Sequence, residues 1–183
     1  LKIIKNILEY NFASGDSLGT AVSLGMFDGV HLGHKKIIQK LKNYSKIRNL
    51  KTVVLSFCSH PRSILDPSDN IQLLNTFEEK KELLEELGVD IFFIQEFNEE
   101  FKNISAEEFI SKTLLESLRA KYIVIGYNHR FGKNRIGDFR LLQEMSNAKN
   151  FVSEQIGELI IDGISVSSTR IRNLLSTFIF AVG

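Results

Sequence analysis

The chain has 183 residues, a hydrophobic fraction of 43% and 23 basic against 22 acidic side chains, for a formal charge of +1. That is enough apolar material for one sizeable core, and it supplies no overall basic field of the kind that draws a protein to nucleic acid or a membrane surface. The lone cysteine, Cys58, excludes an internal disulfide, and with no signal peptide and no run of about 20 apolar residues a cytoplasmic protein without a membrane partner is expected.

Taken in chain order, an apolar run at 21–24 reads as a buried strand, and leucines, isoleucines and charges at 35–48 have the spacing of an amphipathic helix. A strand at 52–57 and a helix at 77–87 follow, then a strand at 91–94, a helix at 106–118, a strand at 122–125 and a helix at 138–145. Weaker strand signals lie at 151–154 and 159–161. Alternation of this kind predicts an α/β fold with a doubly wound, mostly parallel sheet and helices on both faces, because parallel neighbours need crossover helices. Residues 1–183 contain no repeat or long linker and read as one domain. Leu1 in place of Met and the apolar end at 178–183 are features expected of a fragment. Cys58, closing the 52–57 run, is better placed as a small buried hydrophobe than as a nucleophile.

In a fold of this class ligands bind beyond the carboxyl ends of the strands. The loop after 21–24 reads Gly25-Met26-Phe27-Asp28-Gly29-Val30-His31-Leu32-Gly33-His34 and opens into a helix. A strand, a Gly-rich turn and a helix N-terminus make an anion site, with free N–H groups and the helix dipole aimed at the guest. The spacing is neither the dinucleotide fingerprint nor the Walker sequence. It offers two imidazoles instead, His31 and His34, placed to donate to phosphate oxygens whose charge grows during transfer, with Gly33 letting the backbone come close. A zinc site is the competing reading, but Cys58 is the only thiol and no carboxylate has ligand spacing. The loop after 122–125 gathers Arg130, Lys133 and Arg135, suited to a polyphosphate, with Tyr127 and Phe131 suited to stack on a ring; a solvated basic loop would look the same. Near the end, Ser165-Val166-Ser167-Ser168-Thr169-Arg170-Ile171-Arg172 places Ser167 or Ser168 as the cap of a helix running through Leu175. Arg170 and Arg172, two apart on that helix, point in different directions, so one of them is expected to reach a ligand.

Together these loops resemble the bacterial bifunctional riboflavin kinase/FAD synthetase family, specifically its N-terminal FMN adenylyltransferase domain, whose fold is the Rossmann-like HxGH nucleotidyltransferase. Residues 25–34 match the family's G-x-F-D-G-V-H-x-G-H and residues 167–172 its S-S-T-x-I-R. Phe57-Cys58-Ser59-His60-Pro61-Arg62 is similar to F-x-P-H-P-R with Ser59 for proline, and the basic loop is similar to G-x-D-F-x-F-G with Asn128 for Asp and His129 for Phe.

The resemblance implies transfer of AMP from ATP to FMN, giving FAD and pyrophosphate, with Mg²⁺ accompanying ATP. It implies His31, His34 and Arg170 in catalysis, and Gly25, Phe27, Asp28, Gly33, Ser167, Ser168 and Thr169 in binding ATP. Phe57, His60, Asn128 and Phe131 are implied for FMN. The family continues into a riboflavin kinase barrel that this chain does not carry, so kinase activity is not expected. Two other readings stand beside it: an adenylyltransferase for another phosphorylated small molecule, such as a nicotinamide or pantetheine nucleotide, and a catalytically silent nucleotide-binding domain.

Overall fold

A computed structural model describes residues 1–7, 10, 18–57 and 71–181, with side chains through Thr177. Six strands form the main sheet: β1 (Lys2–Lys5), β2 (Thr20–Leu24), β3 (Lys51–Phe57), β4 (Ile91–Gln95), β5 (Ala120–Gly126) and β6 (Val152–Ile156), in the order β1-β4-β3-β2-β5-β6. Every pairing is parallel, with Val22 beside Val53 and Ile123 in the centre. The helices are α1 (Leu32–Arg48), α2 (Phe77–Glu86), α3 (Glu99–Lys102), α4 (Ala106–Glu108), α5 (Phe139–Lys149) and α6 (Ser168–Ala181). The turn α4 runs on as a π-helical stretch, Phe109–Ser117, closed by the Leu118 N–H on the Thr113 carbonyl at 3.1 Å.

The period-2 alternation of strand side chains divides the core into two layers. Ala21, Val54, Phe92 and Val124 face α1 and α2, where Ile38, Leu41 and Leu84 meet them. Val22, Val53, Leu55, Phe93 and Ile123 face the other way, onto Phe109, Ile110, Leu114 and Leu142. Both faces of the central strands are therefore buried, which is why their sequences read as unbroken apolar runs.

Two expectations need correction. The 159–161 signal is not a strand of the main sheet: Ile160–Ile161 (β7) pairs antiparallel with Ile164–Ser165 (β8) as a separate hairpin. Its turn, Asp162-Gly163, has φ of 51° and 75°, the left-handed pair that a tight hairpin demands. The helix expected from 35 begins at Leu32, so Gly33 and His34 lie within its first turn. The strand β1 was not foreseen; it is four residues long at the sheet edge, with a lysine at each end. Cys58, Ser59 and His60 lie outside the described residues.

Candidate functional site

The chain leaves β2 at the centre of the sheet, builds β3 and β4 on one side, and returns to place β5 on the other. The strand order reverses between β2 and β5, and a crevice opens beyond their carboxyl ends. It is a cleft of about 220 Å³ whose lining includes Met26, Asp28, His31, Gly33 and His34 after β2, and Asn128 after β5. Ser167, Ser168, Thr169 and Arg172 close its far side.

The turn after β2 has an irregular backbone. Phe27, Gly29 and Val30 all have positive φ, at 48°, 74° and 37°. For Phe27 and the β-branched Val30 this is strained, at a cost on the order of 1–3 kcal/mol each. Phe27 is also 1% exposed and packs in the α1 layer, and such burial contributes about 2–3 kcal/mol, enough to offset its own strain. The result is a turn that delivers His31 to the N-cap position of α1 and His34 to its first turn. Three residues apart, the two rings stack, with centroids 3.7 Å apart and planes at 21°. Phe27 backs His34 at 4.9 Å.

The described starts of α2, α3, α4 and α5 are capped by Thr76, Asn98, Ser105 and Asp138, and the Ser167 hydroxyl accepts from the Arg170 N–H at the start of α6. Among the described residues no side chain caps α1. Its first amides and the positive end of its dipole therefore face the cleft. The Nδ1 atoms of both His31 and His34 are buried without a hydrogen-bond partner among the described residues. Buried polar atoms are seldom left so, and two of them side by side at an uncapped helix start mark a place for a ligand. Burial pushes the His34 pKa down to about 3, helped by His31 and Lys80. Burial also lowers His31, against the pull of Asp28. Both imidazoles are thus neutral at physiological pH. A Cβ on Gly33 would lie 3.1 Å from the His31 ring, so the glycine leaves the space that the imidazole occupies.

Asp28 is 1% exposed and joins three segments. Its Oδ1 accepts from the Leu74 N–H at 2.8 Å, its Oδ2 is paired with Arg172, and its carbonyl accepts from the Ser168 hydroxyl at 2.9 Å. The start of α6 is in this way tied to the turn after β2, and the two helix N-termini meet over one cleft. Of the two arginines, Arg172 faces the cleft while Arg170 is exposed and does not line it. Helical periodicity explains the choice: Ser168, turned toward the Asp28 carbonyl, and Arg172 are four apart and share a face. Gly25 and Phe27, both expected to bind ATP, do not line the cleft.

The loop after β5 serves two cavities. Tyr127 and Asn128 line the polar cleft, and His129, Arg130 and Phe131 line a second, aromatic one with Phe57, Phe97 and Phe101. There the rings of Phe57 and Phe101 lie 5.5 Å apart and those of Phe109 and Phe131 5.9 Å apart. Arg130 is paired with Asp138, and neither it, Lys133 nor Arg135 lines the polar cleft. The loop is fastened by Phe131 and Gly137, whose backbones exchange hydrogen bonds at 3.0 and 2.9 Å. His129 is held down to about 4 by burial and by Arg135.

A wholly parallel sheet with an anion-receptive turn at its reversal point defines a doubly wound α/β protein whose cleft suits an anionic ligand. The family model described as FAD synthetase matches residues 14–170, and the chain belongs to that family. A bifunctional riboflavin kinase/FMN adenylyltransferase of Buchnera aphidicola subsp. Schizaphis graminum is 36% identical over 96% of the chain, which spans 55% of that relative. Among solved structures, one titled as a macrolide-efflux protein from Streptococcus pneumoniae aligns over 94% of this chain and 55% of its own, with a TM-score of 0.80 and 24% identity. The pantoate-beta-alanine ligase of Francisella tularensis aligns over 94% and 73%, with a TM-score of 0.59 and 15% identity. These two likenesses bear on the fold alone. Among the described residues no helix is long and apolar enough to cross a membrane.

Proposed function

We propose that this chain transfers AMP from ATP to the phosphate of FMN, giving FAD and pyrophosphate. The observation that carries the reading is the stacked pair His31 and His34 at the start of α1, where, among the described residues, each has a buried nitrogen without a partner and no side chain caps the helix. An FMN phosphate oxygen forms a bond to the α-phosphorus while the bond to the bridging oxygen breaks, and its electron pair leaves with pyrophosphate. No protein nucleophile is required. The neutral imidazoles and the amides of Gly33 and His34 donate to the oxygens on which charge grows, bonds that strengthen toward the transition state. Ser167, Ser168 and Thr169 hold the pyrophosphate side, and we assign the guanidinium role to Arg172 because Arg170 stands outside the cleft.

The described residues do not form a magnesium cage. No group of three or more His, Cys, Asp or Glu side chains comes together among them. Asp28, the carboxylate in the cleft, is already committed to Leu74 and Arg172. Magnesium therefore belongs to the substrate, as the counter-ion of the triphosphate, and no step is routed through it.

The flavin is assigned to the aromatic cavity, where Phe57 and Phe131 offer faces for stacking, with Asn128 between this cavity and the polar cleft. His60 keeps its assignment from the sequence. The domain is assigned to residues 1–183, in a cytoplasmic protein whose kinase counterpart, present by name in the relative, is no part of this activity.

Pyrophosphate release from ATP with a panel of acceptors tests the reading. FMN is expected to support release and nicotinamide mononucleotide and phosphopantetheine are not. Release with one of those two instead would reassign the acceptor, and ATP binding without release for any acceptor would leave a silent binding domain.

A further inference from the structure

Lys80 in α2 is 5% exposed, four residues before Leu84 and on the same inward face. A leucine would occupy that place at less cost, since burying an amine demands good partners. Its Nζ donates to the Met26 carbonyl at 2.8 Å, and the Ser56 hydroxyl donates to the same oxygen at 2.9 Å. Met26 is the last residue before the strained Phe27, so the peptide held by these two donors sets the direction in which the turn leaves β2. The segment before α2 fastens the turn from the same side: the Asn75 Oδ1 accepts from the Gly29 N–H at 3.1 Å, and the Leu74 N–H reaches Asp28. The rear of the turn is thus fixed to α2, and its front carries the imidazoles and free amides.

We infer that Lys80 is a positioning residue for adenylyl transfer, acting through the Met26 carbonyl to hold His31, His34 and the α1 amides in register with the reacting phosphates. The inference rests on the function proposed above. Its charge has a second effect in the same direction, disfavouring a proton on His34. A displacement of about 1 Å in such a site is felt in turnover more than in ground-state affinity.

Lys80→Met keeps the apolar stem and removes the donor. We expect kcat for FAD formation to fall about tenfold to a hundredfold, with KM for ATP within about threefold of wild type. Backbone amide exchange without substrates should quicken within residues 25–34 and little elsewhere. Should Lys80→Met fail to fold, Ser56→Ala removes the other donor to the same carbonyl and should show a smaller kcat loss of the same kind. Wild-type kcat in the variant that folds, a loss confined to KM, or unchanged exchange in the turn overturns the inference. Faster exchange in a protein whose wild type makes no FAD would count against the acceptor assignment and leave the role of Lys80 in the turn standing.

Discussion

Asp28 and Arg172 show how a buried charge can organise a site at the level of single residues. With Asp28 enclosed and Arg172 17% exposed in its side chain, removing the guanidinium leaves a carboxylate without its counter-charge. Such a loss typically costs about 3 kcal/mol, more than the intact pair contributes. Arg172→Met should therefore lower unfolding free energy by about that amount in urea titration, and adding Asp28→Asn should recover a large part of it. If the double variant is less stable than Arg172→Met, the pair is not the source of the cost. The spacing showed that one of Arg170 and Arg172 would turn inward, and the family resemblance pointed to Arg170, whereas Arg172 is the one that lines the cleft. The contact that decides lies 140 residues away, between Ser168 and the Asp28 carbonyl. Lys80 is inconspicuous in the sequence for a similar reason. It sits in the run Glu78-Glu79-Lys80-Lys81-Glu82, where only its spacing from Leu84 sets it apart.

Among the elements, the loop between β5 and α5 depends on its glycines more than on its cations. Gly132 has φ of 72°, and a Cβ there would meet the Ala106 Cα at 2.6 Å. Neither backbone can yield without moving α4 away from the aromatic cavity. Gly132→Ala should cost about 2–3 kcal/mol in stability and weaken flavin binding, whereas Gly157→Ala, with nothing within 4 Å of its new methyl, should be close to neutral in stability. Equal stabilities in thermal melts would show that the loop accommodates the methyl. The strand–turn–helix at 20–48 was legible because β-branched and apolar runs, glycines and helical spacing all agree locally. The hairpin β7–β8 carries its signal in Asp162-Gly163, a weaker pattern than the strand-like run of 159–161 beside it. What could not be read was partnership: that α2 backs the His-bearing turn follows from its crossover between β3 and β4, not from its own composition.

For the molecule as a whole, three buried or half-buried imidazoles among the described residues shape the response to acid. The pKa values of His31, His34 and His129 are all lowered in the folded chain, His34 to about 3 and His129 to about 4, against an ordinary value of 6.5. Below 6.5 the unfolded chain takes up protons that the native state refuses, so the stability these groups contribute is present above that pH and is lost as pH falls toward their folded values. By pH 5 His34 and His129 should each have cost on the order of 1–2 kcal/mol, with His31 acting in the same direction. This precedes the loss from the carboxylates of Asp138 and Glu154, whose lowered values place their effect at lower pH. Urea midpoints should fall between pH 7 and 5, and less steeply in His129→Phe. A flat profile over that range would contradict the burial of these rings. The sheet itself was the most legible part of the molecule, since strands enclosed on both faces announce themselves as continuous apolar runs. The edge strand β1, half-buried and ended by lysines, does not.

The central claim is that the paired imidazoles at the head of α1 stabilise adenylyl transfer to FMN. It is tested most directly by single-turnover formation of FAD from FMN and Mg·ATP, followed by the loss of flavin fluorescence and checked by chromatography, in wild type and in His34→Ala. The account predicts FAD from the wild type and a rate lower by a hundredfold or more in the variant, corresponding to about 3 kcal/mol, with the fold retained. An equal rate in the two proteins would contradict it.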